Sequence, residues 1–198
     1  MGYRAAFLSL IVIYFQFDLS VSQTNKTGDD MSKPFVAILM GSDSDLPTVQ
    51  SAIDVLKKLQ IPMEVKVTSA HRTPVATHDY VVDADKRGCS VFICAAGMAA
   101  HLAGAVAANT LKPVIGIPVV SGSLDGMDAL LSTVQMPGGI PVATVAIGKA
   151  GAKNAAYLAG QMMSLADADL AQRLLDDRAE SAAAVIAKDA ALQEKLSS

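Results

Sequence analysis

The chain has no tryptophan, two cysteines, three histidines and only 5 % aromatic residues. It also has no basic run and a net charge of -3, so it lacks the electrostatic footprint of a nucleic-acid partner. Cys89 and Cys94 stand five apart around one apparent strand. A strand of that length separates them by roughly 16 Å, which is beyond disulfide reach. They read as a helix-end residue and a core residue. No three potential ligands have metal spacing, so no metal is expected. The apolar run Ala5 to Phe15 is too short for a comfortable membrane span of about 20 residues. There is no internal repeat and no low-complexity linker.

What is present is a single-domain length of 198 residues, with 52 % hydrophobic and only 18 % charged residues. Such a chain can bury a substantial core. Much of the apolar excess is alanine, which suits close helix packing and hints at buried subunit interfaces.

Residues 1–30 differ from the remainder. Arg4, an apolar run and then Ser22 to Asp30 have the order of a secretory signal. The competing reading starts the domain at Met31-Ser32-Lys33-Pro34 and treats 1–30 as a leader outside the mature domain. The second is preferred, because everything from Met31 onward reads as one complete cytoplasmic α/β domain over 31–198.

From Phe35 strands and helices alternate. Phe35–Met40 is a continuous apolar strand of the type buried on both faces of a parallel sheet. A tight loop, Gly41 to Asp45, leads into a helix opened by Pro47 and running to about Gln60. Val65-Lys66-Val67 ends the second strand. Ser69-Ala70-His71-Arg72 follows, with Thr73 as N-cap and Pro74 opening a helix that stops near Gly88. Strands are further expected at Ser90–Ala95, Pro113–Pro118 and Val142–Ile147. An Ala-rich helix containing His101 follows the third, and a short helix to Val134 follows the Ser121–Gly126 loop. The chain closes with helices from Lys149 to Leu165 and from Asp167 to Leu196. Five strands alternating with helices predict a three-layer, doubly wound parallel sheet with C-terminal helices.

Ligands of such sheets bind beyond the carboxyl ends of the strands. Those ends carry Gly41–Asp45, Ser69–Arg72, Ala96–His101 and Val119–Gly126, so the unusual side chains collect along one edge. His71 can give and take a proton near neutral pH, although a polar loop can also hold an incidental histidine. Arg72 suits a phosphate through its planar fork, or else forms a surface ion pair. Asp45 is either an N-cap or an acceptor for ribose hydroxyls. His101 fits a supporting role or a structural one, and His78 a solvated one. The first loop has too few glycines for a dinucleotide fingerprint or a P-loop. A phosphoacceptor receiver needs an acidic residue after the third strand, where this chain has Ala95-Ala96-Gly97. A flavin carrier needs aromatic loop residues, and these loops have none.

Four motifs carry a closer likeness: Gly41-Ser42-x-Ser44-Asp45, Ser69-Ala70-His71-Arg72-Thr73-Pro74, Gly97-x-Ala99-Ala100-His101-Leu102 and Gln135-Met136-Pro137-x-Gly139-Ile140-Pro141. In this order and spacing the chain resembles the N5-carboxyaminoimidazole ribonucleotide mutase family of purine biosynthesis, from Phe35 to the last helices. Arg72 resembles the mutase branch, since the branch that carboxylates aminoimidazole ribonucleotide directly typically carries lysine there. Met98 departs from a pattern that often reads Gly-Gly.

The resemblance implies a flavodoxin-like, cofactor-free, cytoplasmic isomerase that assembles as a homo-octamer, with a small ribonucleotide as partner and neither nucleic acid nor membrane. It implies that the carboxylate leaves the exocyclic nitrogen as CO2 and is added to the ring carbon, with His71 as the proton shuttle. Ser42, Asp45 and Arg72 match ribonucleotide-binding positions, and Ser44, Ser69, Gly97 and His101 line the site. The alternatives are a non-catalytic ribonucleotide-binding module and a direct aminoimidazole ribonucleotide carboxylase.

Overall fold

The computed structural model describes residues 33–197, so the expectation for residues 1–30 lies outside the described part. Five parallel strands form one sheet: β1 Phe35–Met40, β2 Met63–Val67, β3 Cys89–Gly97, β4 Val114–Val119 and β5 Ala143–Thr144. Their order is β2-β1-β3-β4-β5. The chain therefore winds one way from β1 to β2 and the other way from β3 onward, which puts the topological switch between β1 and β3. This is the doubly wound α/β sheet that the alternating pattern predicts.

The helices are α1 Leu46–Lys58, α2 Pro74–Lys86, α3 Leu102–Ala107, α4 Met127–Val134, α5 Gly148–Ser164 and α6 Ala168–Leu196, with 3₁₀ turns at Asp43–Asp45 and Gly122–Leu124. They cover both faces of the sheet. The unbroken apolar run of β1 divides between two cores by strand alternation. Val36, Ile38 and Met40 join Leu56 of α1 and the alanines of α5. Phe35, Ala37 and Leu39 join Val81 of α2 and Val106 of α3. Each fully buried side chain of this size contributes about 1.5–3 kcal/mol by leaving water.

The alanines of α5 have a specific use. Ala152, Ala155, Ala156 and Ala159 are fully buried, and α5 lies closely against α1. A Cβ on Gly160 would stand 3.3 Å from Ile61 Cδ1 and 3.4 Å from Leu59 Cδ1. These small residues serve packing within the chain, so they do not by themselves indicate a subunit interface.

The last strand is shorter than expected. Instead of Val142–Ile147, β5 is Ala143–Thr144, paired only with Ile115 and Gly116. A single further bond, from Val145 N–H to the Gly116 carbonyl at 3.1 Å, ends the pairing. The chain is then drawn onto α5, where a Cβ on Gly151 would fall 1.5 Å from the Ala146 carbonyl oxygen. The chain leaves the sheet after Val145 and enters α5 at Gly148.

Two smaller corrections concern boundaries. Cys89 begins β3 instead of ending a helix, and both cysteines are buried free thiols. The Ala-rich third helix is only Leu102–Ala107, with His101 at its N-cap position and not inside it.

Helix α6 starts at Asp167, whose carboxylate accepts from Leu170 N–H at 2.9 Å. Its first half is tied to the domain: Arg173 Nε donates to the Leu59 carbonyl at 2.8 Å, and Asp177 accepts from Tyr157 at 2.8 Å and pairs with Lys58 at 2.7 Å. From Glu180 to Ser197 every residue is exposed. Among the described residues no helix is long and apolar enough to cross a membrane.

Candidate active site

The carboxyl ends of β1 and β3 flank the switch point, and β2 delivers a third loop beside them. In the first loop Ser42 is extended, and its Oγ accepts from Ser44 N–H at 3.3 Å and from Ser44 Oγ at 2.8 Å. Asp45 reaches back to accept from Ser42 N–H at 3.2 Å. The two side chains form a capping box on the 3₁₀ turn. Asp45 does occupy the N-cap position of α1, but its carboxylate makes no capping bond to that helix. It is 8 % exposed. Burial pushes its carboxyl above the ordinary carboxylate range, the Ser42 N–H works in the opposite direction, and the neighbouring Asp43 adds to the rise.

The second loop is held by residues other than its histidine. Thr73 Oγ1 accepts from Ser69 N–H at 3.0 Å and donates to the Ser69 carbonyl at 3.1 Å. Thr73 is thus the N-cap residue by position, with its side chain closing the loop instead of capping α2. Thr68 and Thr77 hydroxyls meet beneath at 2.7 Å. Arg72 N–H donates to Ser69 Oγ at 3.1 Å, and its Nη2 donates to the Gly41 carbonyl at 2.9 Å. Arg72 therefore joins the first two loops, and among the described residues it forms no ion pair. His71 is exposed and makes no hydrogen bond among the described residues, so its nitrogens are available to a ligand.

The third loop packs on the fourth. A Cβ on Gly97 would lie 2.6 Å from Ser121 Cβ and 3.1 Å from the Val119 carbonyl oxygen, so glycine is required by close approach. Met98 has φ +55°, a left-handed backbone that costs a non-glycine residue on the order of 1 kcal/mol. The rings of His71 and His101 are 5.6 Å apart between centroids, tilted by 55°.

These loops enclose a cavity of about 400 Å³ lined by all eight expected residues: His71, Ser42, Asp45, Arg72, Ser44, Ser69, Gly97 and His101. Met98 and Ser121 also line it. The sequence places Ser121 in the Val119–Gly126 strand end along the site edge, but its entry into the cavity depends on the Gly97 contact, which no local pattern reports. His78 stands apart, exposed, with Nδ1 2.8 Å from Asn109 Oδ1. Among the described residues no three His, Cys, Asp or Glu side chains are gathered to hold a metal. A larger hollow of about 580 Å³ lies at the amino ends of the strands, among Pro34, Pro62, Ser90 and Pro113. It contains no histidine and none of the eight expected site residues.

The family model described as AIR carboxylase matches residues 35–184. The chain belongs to the AIR carboxylase family. Relatives include N5-carboxyaminoimidazole ribonucleotide mutase of Bacillus subtilis, 56 % identical over 149 residues, covering 75 % of this chain and 91 % of the relative. The mutase of the same name from Escherichia coli K12 is 53 % identical, covering 72 % of this chain and 85 % of its own. The crystal structure of Treponema denticola PurE matches with a TM-score of 0.73 at 30 % identity, covering 80 % of this chain and 98 % of that one. The AIR carboxylase family match contains every element bearing the cavity and ends within α6, at residue 184.

Proposed function

We propose that the chain is an isomerase of purine (IMP) biosynthesis that converts N5-carboxyaminoimidazole ribonucleotide to 4-carboxy-5-aminoimidazole ribonucleotide. The observation that carries this reading is the unengaged His71 in a cavity that also presents the Arg72 fork, the Asp45 carboxylate and the Ser42 and Ser44 hydroxyls. Arg72 suits the substrate phosphate. The Asp45 and serine groups suit its ribose hydroxyls, and His71 is left for the base. The relatives named as mutases support the same reaction.

The chemistry balances with one titrating group. The bond between exocyclic nitrogen and carboxylate breaks, the electron pair stays on nitrogen, and protonated His71 supplies the proton. CO2 is released into the cavity. The electron-rich ring carbon then attacks CO2, and neutral His71 removes the proton from that carbon. One carboxylate and one proton have moved, and His71 has returned to its starting form. General acid/base catalysis of this kind is typically worth about 10²–10⁴-fold.

Cytoplasmic location and octameric assembly belong to the same proposal. Met127, Leu131 and Val134 are exposed along α4, and Leu175, Val185, Ile186 and Leu192 along α6. Apolar stripes of this extent favour burial against further copies. Light scattering is expected to give an octamer, and a stable monomer at micromolar concentration would overturn that part.

The reaction is tested by giving the purified protein either the carboxyamino substrate or aminoimidazole ribonucleotide with bicarbonate, and following product absorbance. Conversion of the first alone is expected. Conversion of the second alone would make the protein a direct carboxylase, and binding without conversion would make it a non-catalytic module.

A further inference from the structure

One hydroxyl of the cavity takes no part in the assignments above. Four serines line it: Ser42, Ser44, Ser69 and Ser121. Three of them use their hydroxyls within the loops that carry them. Ser42 Oγ donates to Asp43 Oδ1 at 3.2 Å and accepts from Ser44 Oγ at 2.8 Å, and Ser69 Oγ accepts from Arg72 N–H at 3.1 Å. Ser121 differs. It stands at the N-cap position of the 3₁₀ turn Gly122–Leu124, where a serine commonly caps, yet its side chain makes no capping bond. It makes no other side-chain hydrogen bond among the described residues, although it is partly buried. Such a hydroxyl at a cavity wall is a group that a ligand can satisfy.

The sheet fixes where this hydroxyl stands. Gly97 pairs with Val119 in the β3–β4 register, and Ser121 follows two residues on. Its Cβ is 2.6 Å, and its Oγ 3.5 Å, from the point a Gly97 Cβ would occupy. Further along, the loop is pinned at Gly126, where a Cβ would meet Ile147 Cγ2 at 2.8 Å.

Strand order then arranges the cavity from end to end. Arg72 follows β2, Ser42 and Asp45 follow β1, and Gly97 and Ser121 stand at the ends of β3 and β4. With phosphate at Arg72 and ribose at Asp45, the substrate runs along this edge and its heterocycle reaches the β3–β4 end. Three strand spacings, roughly 14 Å, separate β2 from β4, which leaves room for one ribonucleotide laid lengthwise. His71 leans the same way, since its ring centroid is 5.6 Å from that of His101 in the loop after β3.

We infer that the Ser121 hydroxyl is a substrate-binding group that hydrogen-bonds the aminoimidazole edge bearing the exocyclic nitrogen and the neighbouring ring carbon. This rests on the isomerase reading. A serine hydroxyl both donates and accepts, so it can accept from an exocyclic N–H or donate to a carboxylate on either atom. It therefore serves substrate and product alike, and holds the ring in place while the carboxylate changes position.

The test is calorimetric binding of two ligands, the carboxylated product ribonucleotide and ribose 5-phosphate, which lacks the ring. Ser121→Ala should leave Tm unchanged, because the hydroxyl has no partner in the protein to lose. It should weaken product binding about three- to tenfold, the worth of one neutral hydrogen bond, and leave ribose 5-phosphate binding as in the wild type. Unchanged product binding would overturn the inference, and so would equal weakening of both ligands or a fall in Tm of several degrees. A wild-type protein that does not bind the product at all would overturn the isomerase reading, and this assignment with it.

Discussion

Arg72 Nη2 donates to the Gly41 carbonyl oxygen at 2.9 Å, joining the loop after β2 to the loop after β1. The bond spans the strand pair beside the topological switch and uses one edge of the guanidinium. Nε is directed at Ser69 Oγ at 3.5 Å, which leaves the Nη1 group to face a phosphate. Arg72→Ala should raise KM about tenfold or more before it lowers kcat, as expected for a group that binds substrate and transition state alike. Steady-state kinetics decide this. A fall in kcat at unchanged KM would place Arg72 in the chemical step.

Asp45 gives a prediction with an unusual sign. Its folded-state pKa is raised, chiefly by burial, so ionisation at this position opposes folding. Stability from the group is full in acid and declines as pH rises from the ordinary carboxylate range through the raised folded value. In Asp45→Asn the amide oxygen can still accept from Ser42 N–H, without a charge. The variant should match wild type in acid and become the more stable protein above that window, while KM rises. Thermal melts across pH would refute this if the variant were less stable at neutral pH.

Asp177 behaves in the opposite way. Its pKa is lowered by the hydrogen bond from Lys58 and then by that from Tyr157. The brace therefore stabilises α6 above the ordinary carboxylate range and is lost as pH falls through the lowered value. Asp177→Asn should reduce Tm by a few degrees at neutral pH, with the difference closing in acid. A constant difference across pH would show that the charge is not what matters.

Gly97→Ala should lower both Tm and activity, because the added Cβ meets Ser121 Cβ at 2.6 Å and the Val119 carbonyl oxygen at 3.1 Å. Overpacking of this kind typically costs about 1–3 kcal/mol. Adding Ser121→Gly should recover part of the loss, since it removes the nearer clash and leaves the carbonyl. Equal melting of the single and double variants would contradict the contact.

The alternating apolar segments were sufficient to read the sheet, its parallel sense and the edge that carries the site. Those features follow from local periodicity and from right-handed crossovers. The length of β5 is not legible in the sequence, because it depends on how far the strand pairs with β4 and on α4 packing over Gly116 through Thr133, which are contacts between separate elements. The same holds for Ser121, which enters the cavity only because Gly97 lets the loop approach. Asp45 looked like a helix cap from its place before Leu46-Pro47, and its return to Ser42 N–H depends on a 3₁₀ turn that the residues do not announce. The alanines of α5 could have served either α1 or another subunit, and only the packing decides for α1.

His71 carries the central claim, and its direct test is kinetics of His71→Asn with substrate binding measured separately. Asparagine has a similar size and hydrogen-bonding capacity but cannot titrate. Binding within about tenfold of wild type is expected, with turnover reduced about 10²–10⁴-fold or more, since one group serves both proton transfers. Weakened binding with turnover near wild type would contradict that expectation. His71 would then be a ligand contact, and His101, with its ring centroid 5.6 Å away, would be the next candidate for the proton shuttle.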